Sequence, residues 1–293
     1  MDYSIGEHHV RVVAEDGDAI IDALLPSFRP FMTEAEPGSA SLFTVSLRHR
    51  LKAYPESECR HITDSDTGNG IIRVERKHDG SYQFTICNIA GKPCALLQTT
   101  AEFDSCQCAI RGGEGDRRYG INGVLMLMYA FRGAQFGTLL IHASVVRHNG
   151  RAYAFTAVSG TGKSTQVSNW LNNIEDCDLV NDDNPIVRVK GDEVTLYGSP
   201  WSGKTACYRN ISVPLGAILK IERATTNYVT PLCTLEAFAV LLTACSAIRT
   251  DDVIYKKLGD VVSAVIECTT MATLHCLPDA ESAFVCREYL EGK

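Results

Sequence analysis

Residues 1 to about 110 are dominated by an alternation of apolar and polar positions, which is the period of a half-buried β-strand. Leu42–Leu47, Ile71–Arg76 and Ser81–Ile86 all follow this pattern. His78-Asp79-Gly80 separates the last two segments and predicts a hairpin turn. A short helix is expected over Asp18–Leu25. The pattern therefore predicts a β-rich N-terminal region.

The hydrophobic period changes after a polar, glycine-rich break. Arg111–Arg118 reads RGGEGDRR, and the apolar residues of Ile121–Phe136 then recur at helical spacing. We place a domain boundary in this break because composition and period change together there. The prediction is a β-rich subdomain over residues 1–115 and a nucleotide-binding domain over residues 116–293.

Hairpin signals flank a glycine-rich loop in the second half. A strand is expected over Leu139–Val146, and Asn149-Gly150 predicts the turn that returns the chain into Ala152–Thr156. Lys190–Glu193 predicts a further turn beyond the loop. Hairpins on both sides of the loop favour a mixed sheet, and thus an α/β or α+β fold, over an all-parallel sheet. The remaining predicted elements are strands over Cys177–Val189, Val194–Gly198 and Ala272–Leu277, and helices that end near Asn173 or span Leu235–Ile248, Val253–Cys268 and Pro278–Leu290.

Composition narrows the class of protein. The 293 residues are 45% apolar and 22% charged, as in ordinary globular domains. Twelve scattered cysteines without a C-x-x-C pair, and an N-terminus without a secretory signal, favour reduced thiols and a cytoplasmic protein. No apolar run reaches the roughly 18 residues of a membrane span. The net charge of −7 argues against nonspecific nucleic-acid binding.

The glycine-rich loop (residues 157–165) carries the strongest chemical signal. It reads AVSGTGKST and lies between a predicted strand and a predicted helix. Glycines let successive backbone amides point at phosphate oxygens, and the helix adds the positive end of its dipole. Lys163 would neutralise phosphate charge and Ser164 would bind Mg²⁺, whereas Ala157 replaces the usual first glycine. The residues expected to bind the nucleotide are Ser159, Gly160, Thr161, Gly162, Lys163, Ser164 and Thr165.

Phosphoryl transfer also needs a metal ligand and a base, and two adjacent acids are candidates. Asp182 and Asp183 stand at the end of a predicted strand, downstream of Lys163. One carboxylate would hold Mg²⁺ and the other would accept the proton of an attacking hydroxyl. We expect Ser164 and Asp182 as metal ligands, although the sequence leaves open which acid is the base.

The loop, followed by Leu179–Asp183, resembles the paired kinase motifs of HPr kinase/phosphorylase and phosphoenolpyruvate carboxykinase. Leu140–Ser144 also resembles the histidine-containing strand of HPr kinases. The resemblance covers roughly residues 119–290. Further segments resemble an uncharacterised HPr-kinase-like subgroup, namely Gly198–Thr205, Tyr208–Asn210 and Val213–Leu215.

This resemblance implies a phosphoenolpyruvate carboxykinase/HPr kinase-like core that uses ATP and Mg²⁺. It implies transfer of the γ-phosphoryl group to a hydroxyl of a protein or peptide serine or of a small molecule, and some relatives phosphorylate ribosomal peptides. It places His142 beside the acceptor or the carboxylates, and HPr kinases form hexamers, so a homo-oligomer is an expectation. The HPr-docking signature and the carboxykinase substrate motifs are not recognisable, so the acceptor stays open.

Four side chains have alternative interpretations, and two functions other than a kinase stay open. Lys204 and Arg209 either stabilise charge on the transferred group or are solvated surface charges. His142 is either functional or a core histidine, and Trp201 either stacks on the base or packs. The alternatives to a kinase are a non-catalytic ATP-binding regulatory module, motivated by Ala157, and a reversible kinase/phosphorylase.

Overall fold

A computed structural model of the chain describes residues 1–34, 40–158, 160–246 and 251–292. The chain divides into two compact units. The predicted boundary after residue 115 lies earlier than this division, because the long helix that follows it belongs to the first unit. Unit 1 comprises Met1–Phe136 and Ile248–Tyr255, and unit 2 comprises Gly137–Ala247 and Lys256–Lys293.

Unit 1 is a mixed sheet with helices, which confirms the prediction of a β-rich N-terminal region. Its described strands follow the order β3-β1-β2-β4-β9-β8-β7-β6-β5. The pairs β2–β4 and β4–β9 are parallel and the other pairs are antiparallel. The elements are β1 (Asp2–Ile5), β2 (His8–Ala14), α1 (Asp18–Leu24), β3 (Met32–Thr33), β4 (Phe43–Leu47), β5 (Cys59–Asp66), β6 (Gly70–Lys77), β7 (Tyr82–Asn88), β8 (Pro93–Thr99), β9 (Ser105–Ile110) and α2 (Glu114–Ala134), with 3₁₀ turns at Pro26–Phe31 and Glu56–Glu58.

The helix α2 covers one face of this sheet and begins earlier than predicted. The helix starts within the glycine-rich break, because Glu114 and Asp116 lie in its first turn, where acidic side chains complement the helix dipole. Gly120 allows the helix to approach the sheet, because a Cβ there would stand 2.9 Å from the carbonyl oxygen of Cys94. Phe131 of α2 packs on Phe103 with ring centroids 5.2 Å apart.

Unit 2 contains a second mixed sheet, so the predicted mixed α/β class is confirmed. Its described strands follow the order β10-β14-β15-β16-β12-β11-β13, with β18 on the second half of β16 and β17 on β18. The pairs β12–β16 and β16–β18 are parallel and the rest antiparallel. The elements are β10 (Thr138–Leu140), β11 (Ala143–His148), β12 (Arg151–Thr156), α3 (Lys163–Asn173), β13 (Cys177–Asp183), β14 (Ile186–Lys190), β15 (Glu193–Tyr197), β16 (Ser212–Arg223), β17 (Tyr228–Pro231), α4 (Thr234–Ala244), α5 (Asp252–Cys268), β18 (Thr270–Cys276) and α6 (Glu281–Glu291). The first residues of α5, up to Tyr255, belong to unit 1.

The single strand predicted over Leu139–Val146 is wrong, because two strands occupy this segment. β10 pairs with β14, whereas β11 pairs with β12 and β13. The chain leaves the first ladder at His142, whose amide donates to the carbonyl oxygen of Ala244 at 2.7 Å. This break places His142 at an edge of the sheet, just before β11.

The hairpin predicted at Asn149-Gly150 is confirmed. Both residues have positive φ, 48° and 72°, which matches the right-handed twist of the strands that they join. β11 and β12 are antiparallel, with Ser144 opposite Phe155. The strand that leads into the glycine loop therefore has the antiparallel neighbour that the sequence predicts.

One face of the unit 2 sheet is packed beneath α3 and α6. Trp170 of α3 is fully buried and its ring lies 5.9 Å from that of Phe155. Leu219 and Leu274 join the same core cluster from β16 and β18. Because side chains alternate along a strand, Thr156 and Lys220 belong to the opposite face.

Two further sequence predictions concern helices and cysteines. α4 ends at Ala244, and the part of the predicted helix Leu235–Ile248 from residue 247 onwards lies outside the described residues. All twelve cysteines are described, and most of them are buried or half-buried. Within the described ranges, no helix is both long and apolar enough to cross a membrane.

Candidate functional site

Strand register brings the predicted functional segments to one edge of the unit 2 sheet. β12 and β16 are parallel, and Thr156, the last residue of β12, lies opposite Lys220. β11 runs the other way, and its first residue, Ala143, lies opposite Asp183 at the end of β13. The glycine loop, His142 and Asp183 therefore meet at the same edge.

Two glycines of the loop have backbone conformations that favour glycine. Gly160 has φ of 78° and Gly162 has φ of 135°, which L side chains rarely adopt. A Cβ at either glycine would meet nothing within 4 Å, so the conformation, not space, requires glycine. Gly162 precedes the first turn of α3, where Ser164 and Thr165 are exposed. Ser159, also predicted to bind nucleotide, lies outside the described residues.

Lys163 joins the loop to a histidine and an acid. Its Nζ lies 2.8 Å from Nε2 of His142 and donates to the carbonyl oxygen of Ala157 at 3.2 Å. An ammonium group has no acceptor, so Nε2 accepts and the imidazole proton resides on Nδ1. Nδ1 then donates to Oδ1 of Asp183 at 3.0 Å. The three side chains form a continuous ammonium–imidazole–carboxylate chain.

Burial and the nearby carboxylates have opposite effects on the pKa of Lys163. Burial lowers the pKa of the Lys163 ammonium, because desolvation disfavours its charged form, while the carboxylates of Asp183 and Asp182 act in the opposite direction. Both acids are thus close enough to Lys163 to affect its charge. The structure thus brings Lys163 and Asp183 into one cluster through His142, and Asp182 is the neighbour of Asp183 in the chain.

The two adjacent acids have different surroundings. Asp182 is 5% exposed, and its two carboxylate oxygens accept hydrogen bonds from the Ser144 hydroxyl at 2.9 Å and the Thr205 amide at 3.0 Å. The Asp183 side chain is 32% exposed and accepts from His142 and from the side-chain amide of Asn184 at 2.7 Å. Asp182 is therefore fixed within the protein, whereas Asp183 is accessible beside Lys163.

A second loop, residues 198–205, closes over the end of β13. The Gly203 amide donates to the Asp182 carbonyl oxygen at 3.0 Å, and a Cβ on Gly203 would stand 2.5 Å from that oxygen. The buried side-chain amide of Asn181 donates to the Trp201 carbonyl oxygen at 3.1 Å. Trp201 is itself buried, which favours packing over base stacking for its ring. Lys204 lies in this loop next to Thr205 and is exposed.

Arg209 is not brought to the lysine. Its Nη1 donates to Oδ2 of Asp178 at 2.6 Å and also to the Leu179 carbonyl oxygen. Asp178 stands at the start of β13, and its Cα is about 16 Å from that of Asp183 along an extended strand. Arg147 forms a bidentate pair with the same Asp178 carboxylate, at 2.8 Å for both bonds. Arg209 therefore supports the far end of this strand in the described structure.

Arg223 is a site residue that the sequence did not indicate. Its Nη2 donates to the Gly160 carbonyl oxygen at 2.7 Å and its Nε to the Thr161 carbonyl oxygen at 3.3 Å. Arg223 reaches the loop because β16 extends three residues beyond Lys220, the partner of Thr156. A single arginine at the end of a strand belongs to no recognisable motif. Only the strand register could have identified it.

The donor set at this edge fits a magnesium ion. Ser164 and Asp182 offer a hydroxyl and a carboxylate, which are the oxygen ligands that Mg²⁺ prefers. The described ranges contain no group of three His, Cys, Asp or Glu side chains that could hold a metal alone. Magnesium in nucleotide sites commonly uses one or two protein oxygens together with phosphate and water, so this sparse donor set is compatible with the prediction.

The buried position of Asp182 predicts a structural penalty for its removal. Asp182→Ala should lower the free energy of unfolding of unit 2 by about 2–3 kcal/mol, because the Ser144 hydroxyl and Thr205 amide lose their acceptor. Urea unfolding followed by tryptophan fluorescence measures this, since Trp170 and Trp201 are the chain's two tryptophans and both belong to unit 2. Asp182→Asn should cost less, and equal losses in the two variants would contradict the hydrogen-bond argument.

Comparisons with known proteins give little beyond this geometry. No protein-family model matches the chain, and no curated protein matches its sequence. Among solved structures, the HPr(Ser) kinase/phosphatase from Coxiella burnetii matches with a TM-score of 0.31 and 10% sequence identity, over 52% of this chain and 97% of that one. A likeness of this size does not define a function, which has to be argued from the site.

Proposed function

We propose that this protein is an ATP- and Mg²⁺-dependent phosphotransferase with an HPr kinase/phosphoenolpyruvate carboxykinase-like core in unit 2. It would transfer the γ-phosphoryl group to a hydroxyl acceptor. The observation that supports this most is the chain from Lys163 through His142 to Asp183, at the mouth of a glycine loop. It joins a cation that would bind phosphate to an accessible carboxylate that would act as the base. Phosphoryl transfer requires these two roles of side chains.

Nucleotide binding would use the loop amides, the start of α3 and Lys163. The lysine is half-buried and donates to two neutral acceptors, His142 and the Ala157 carbonyl oxygen. A triphosphate oxygen is anionic and therefore a better partner for an ammonium group. Lys163 would exchange these bonds for phosphate and leave Nε2 of His142 available.

The proposed transfer step is a displacement at the γ-phosphorus. A bond forms between the acceptor oxygen and phosphorus, the bond to the β–γ bridging oxygen breaks, and ADP leaves. The acceptor's proton moves to a carboxylate oxygen of Asp183. His142 keeps that carboxylate oriented through its Nδ1–H bond. We assign the base role to Asp183 because it is the more exposed acid.

Ser164 and Asp182 are the residues that would hold Mg²⁺. When bound, the ion would neutralise charge on the β- and γ-phosphates. Asp182 suits this role because two protein donors fix its carboxylate, and each carboxylate oxygen has a further lone pair.

Radiolabel transfer tests the proposal. Purified protein with Mg²⁺ and γ-labelled ATP should label a hydroxyl acceptor from a panel of serine peptides and small alcohols, and Lys163→Ala should remove the label. ATP binding measured by calorimetry without labelling of any acceptor would contradict the kinase and support the regulatory module. Phosphate-dependent removal of the label with release of pyrophosphate would identify the reversible kinase/phosphorylase.

Arg223 should position the loop for the nucleotide. A planar peptide points its carbonyl and amide in opposite directions, so the Thr161 carbonyl held by Arg223 turns the Gly162 amide towards the other side. The Gly160 carbonyl held by the same arginine precedes the Thr161 amide, which donates to the Val158 carbonyl oxygen at 3.1 Å and closes the loop. Arg223→Ala should raise the KM for ATP about tenfold and change kcat less than about threefold. Arg223→Lys should be intermediate, because an ammonium is one point donor.

Steady-state kinetics with varied ATP measures this effect. Arg151→Ala is the matched control, because Arg151 is an exposed arginine at the opposite end of β12. Equal KM changes in the Arg151 and Arg223 variants would show a general charge effect and would contradict a positioning role.

A further inference from the structure

Three parallel strands of unit 1 end at the same edge of its sheet. Ala14 of β2 lies opposite Leu47 of β4, and Leu47 lies opposite Cys108 of β9. The segments that follow β4 (residues 48–55) and β9 (residues 111–113) therefore begin at the carboxyl ends of these strands. In open α/β sheets, ligands bind outside the carboxyl ends of parallel strands. The topology of unit 1 thus favours a ligand at this edge.

A cleft of about 720 Å³ lies at this edge. Its lining residues all belong to unit 1, and most of them come from the segment after β4. Ligand pockets usually have volumes of about 300–1,000 Å³, so the cleft has room for a small molecule and not only for an ion. We call it the basic cleft, and it is lined by His49, Arg50, Leu51, Lys52, Ala53 and Arg111.

The basic cleft carries unpaired positive charge. Arg50, Lys52 and Arg111 are exposed, and within the described ranges their side chains form no ion pair or hydrogen bond. Such a cluster departs from the composition of the chain, in which 35 acidic side chains outnumber 28 lysines and arginines. An anion in the basic cleft would therefore meet three cations without having to displace a carboxylate from any of them.

The acids that follow β2 at the same edge have other partners. Glu15 accepts from Nη1 of Arg48 at 3.1 Å and from the backbone amide of His49 at 2.8 Å. Oδ1 of Asp16 lies 3.2 Å from Nε2 of His49. These acids compensate Arg48 and His49, and they leave the other cations of the cleft uncompensated.

The start of α2 adds to the positive field. α2 begins at Glu114, shortly after Arg111, and the N-terminus of a helix carries partial positive charge. The two acids of its first turn have their own cations, because Glu114 pairs with Arg118 at 2.7 Å and Asp116 with Lys92 at 3.4 Å. An anion beside Arg111 would thus also be stabilised by the helix dipole.

The segment after β4 is held by hydrogen bonds at both ends. Its start is fixed by the two bonds to Glu15. Further on, the Lys52 carbonyl oxygen accepts from Nε2 of Gln98 at 2.8 Å, and the Tyr54 amide donates to Oε1 of Gln83 at 2.8 Å. Gln83 is itself buried. The backbone that carries the cations is therefore ordered before a ligand binds, which lowers the entropy cost of binding.

We propose that the basic cleft binds a small organic phosphate monoester. The phosphate would contact Arg50, Lys52 and Arg111, because guanidinium groups match phosphate oxygens and the dianion offers three oxygens to three cations. The organic part would contact Leu51 and Ala53, the apolar residues of the cleft. This inference goes beyond the proposed function, since its residues belong to unit 1 and none belongs to the nucleotide site.

Titration calorimetry of the full chain with phenyl phosphate tests this assignment. At a pH of about 8, where the phosphate is a dianion, it should bind at least about fivefold more tightly than phenyl sulfate, a monoanion of the same shape. It should bind about threefold more tightly than inorganic phosphate, which has no group to contact Leu51. Leu51→Ala should remove this threefold difference. If inorganic phosphate bound to the wild-type chain as tightly as phenyl phosphate, the monoester would be the wrong ligand.

Substitutions of the cations locate the binding. Arg50→Gln and Arg111→Gln should each weaken phenyl phosphate about tenfold or more, because each removes a charged hydrogen-bond donor. Lys52→Gln should weaken it about threefold, since an ammonium group is one point charge. Arg60→Gln is the matched control and should leave binding unchanged, because Arg60 is an exposed arginine on β5, the outermost strand of the same sheet. Circular dichroism of every variant checks that the fold is retained.

A further variant separates the basic cleft from the glycine loop, which would also bind phosphate. Lys163→Ala should leave the affinity for phenyl phosphate unchanged. Loss of binding in Lys163→Ala but not in Arg111→Gln would place the phosphate at the glycine loop, and would overturn the basic cleft while supporting the proposed function. Because no phosphoryl transfer is measured, an inactive kinase would leave the test of the basic cleft unaffected.

Two other results would overturn the assignment. Equal weakening in Arg60→Gln and Arg111→Gln, or equal binding of phenyl phosphate and phenyl sulfate, would mean that the anion binds without a specific site. A glutamate-rich peptide that binds more tightly than phenyl phosphate and depends on Arg50 would replace the small molecule by an acidic protein segment.

Discussion

Lys163→Ala is expected to lower kcat/KM for phosphoryl transfer by about a thousandfold. Among the residues described, the Lys163 ammonium group is the one cation that contacts both His142 and the backbone of the glycine loop. Removing a preorganised charge that stabilises a phosphoryl transition state costs about 10²–10³-fold in rate. Single-turnover transfer from labelled ATP measures this loss apart from nucleotide affinity.

A second lysine provides the control for this result. Lys204 was a candidate from sequence, but it is exposed in the loop that closes over Asp182. Lys204→Ala should change kcat/KM less than about threefold, as expected for a solvated surface charge. If Lys204→Ala caused the larger loss, the phosphate-binding cation would have been assigned to the wrong loop.

The sequence predicted much of the fold because local patterns carry that information. The alternation in Ile71–Arg76 and Ser81–Ile86, and the Asn149-Gly150 turn, predicted antiparallel pairs that the structure contains. The break at His142 was not predictable in this way. Leu139–Val146 is a mostly apolar segment without a glycine or proline, and its division into two strands depends on hydrogen bonds to distant carbonyls, such as that of Ala244.

The sequence could indicate only those site residues that belong to a recognisable motif or resemblance. Lys163 and the Asp182–Asp183 pair were indicated by spacing, and His142 by resemblance. The different surroundings of the two acids depend on Ser144 and Thr205, which are distant in sequence from Asp182 and reach it through strand pairing and loop closure.

Contacts between residues that are distant in sequence also explain the places of Arg209 and Arg223. Arg209 follows glycine-rich sequence like a loop residue, yet it pairs with Asp178 at the other end of β13. Arg223 has no motif, yet the length of β16 brings it to the glycine loop. The place of Arg223 is set by strand register and that of Arg209 by the path of the loop between β15 and β16, and neither is specified by a local sequence pattern.

Asp183→Asn is expected to lower kcat by about 10²–10³-fold while the KM for ATP changes less than about threefold. Asparagine is nearly the same size as aspartate, and its carbonyl oxygen can still accept from Nδ1 of His142. It cannot take up the acceptor's proton. Rapid-quench measurement of the transfer step tests this, with nucleotide affinity measured in parallel.

Two other acids of β13 make the Asp183 result specific. Asp178→Asn changes an acid of the same strand that pairs with Arg147 and Arg209, and it should reduce kcat less than about threefold. Asp182→Asn should reduce transfer in a way that added Mg²⁺ partly restores, because we assign Asp182 to the metal. Recovery of the Asp183 variant by Mg²⁺, without recovery of the Asp182 variant, would exchange the two roles. Loss of transfer in Asp178→Asn as large as in Asp183→Asn would instead remove the base from this strand end, because the Cα atoms of the two residues lie about 16 Å apart along β13.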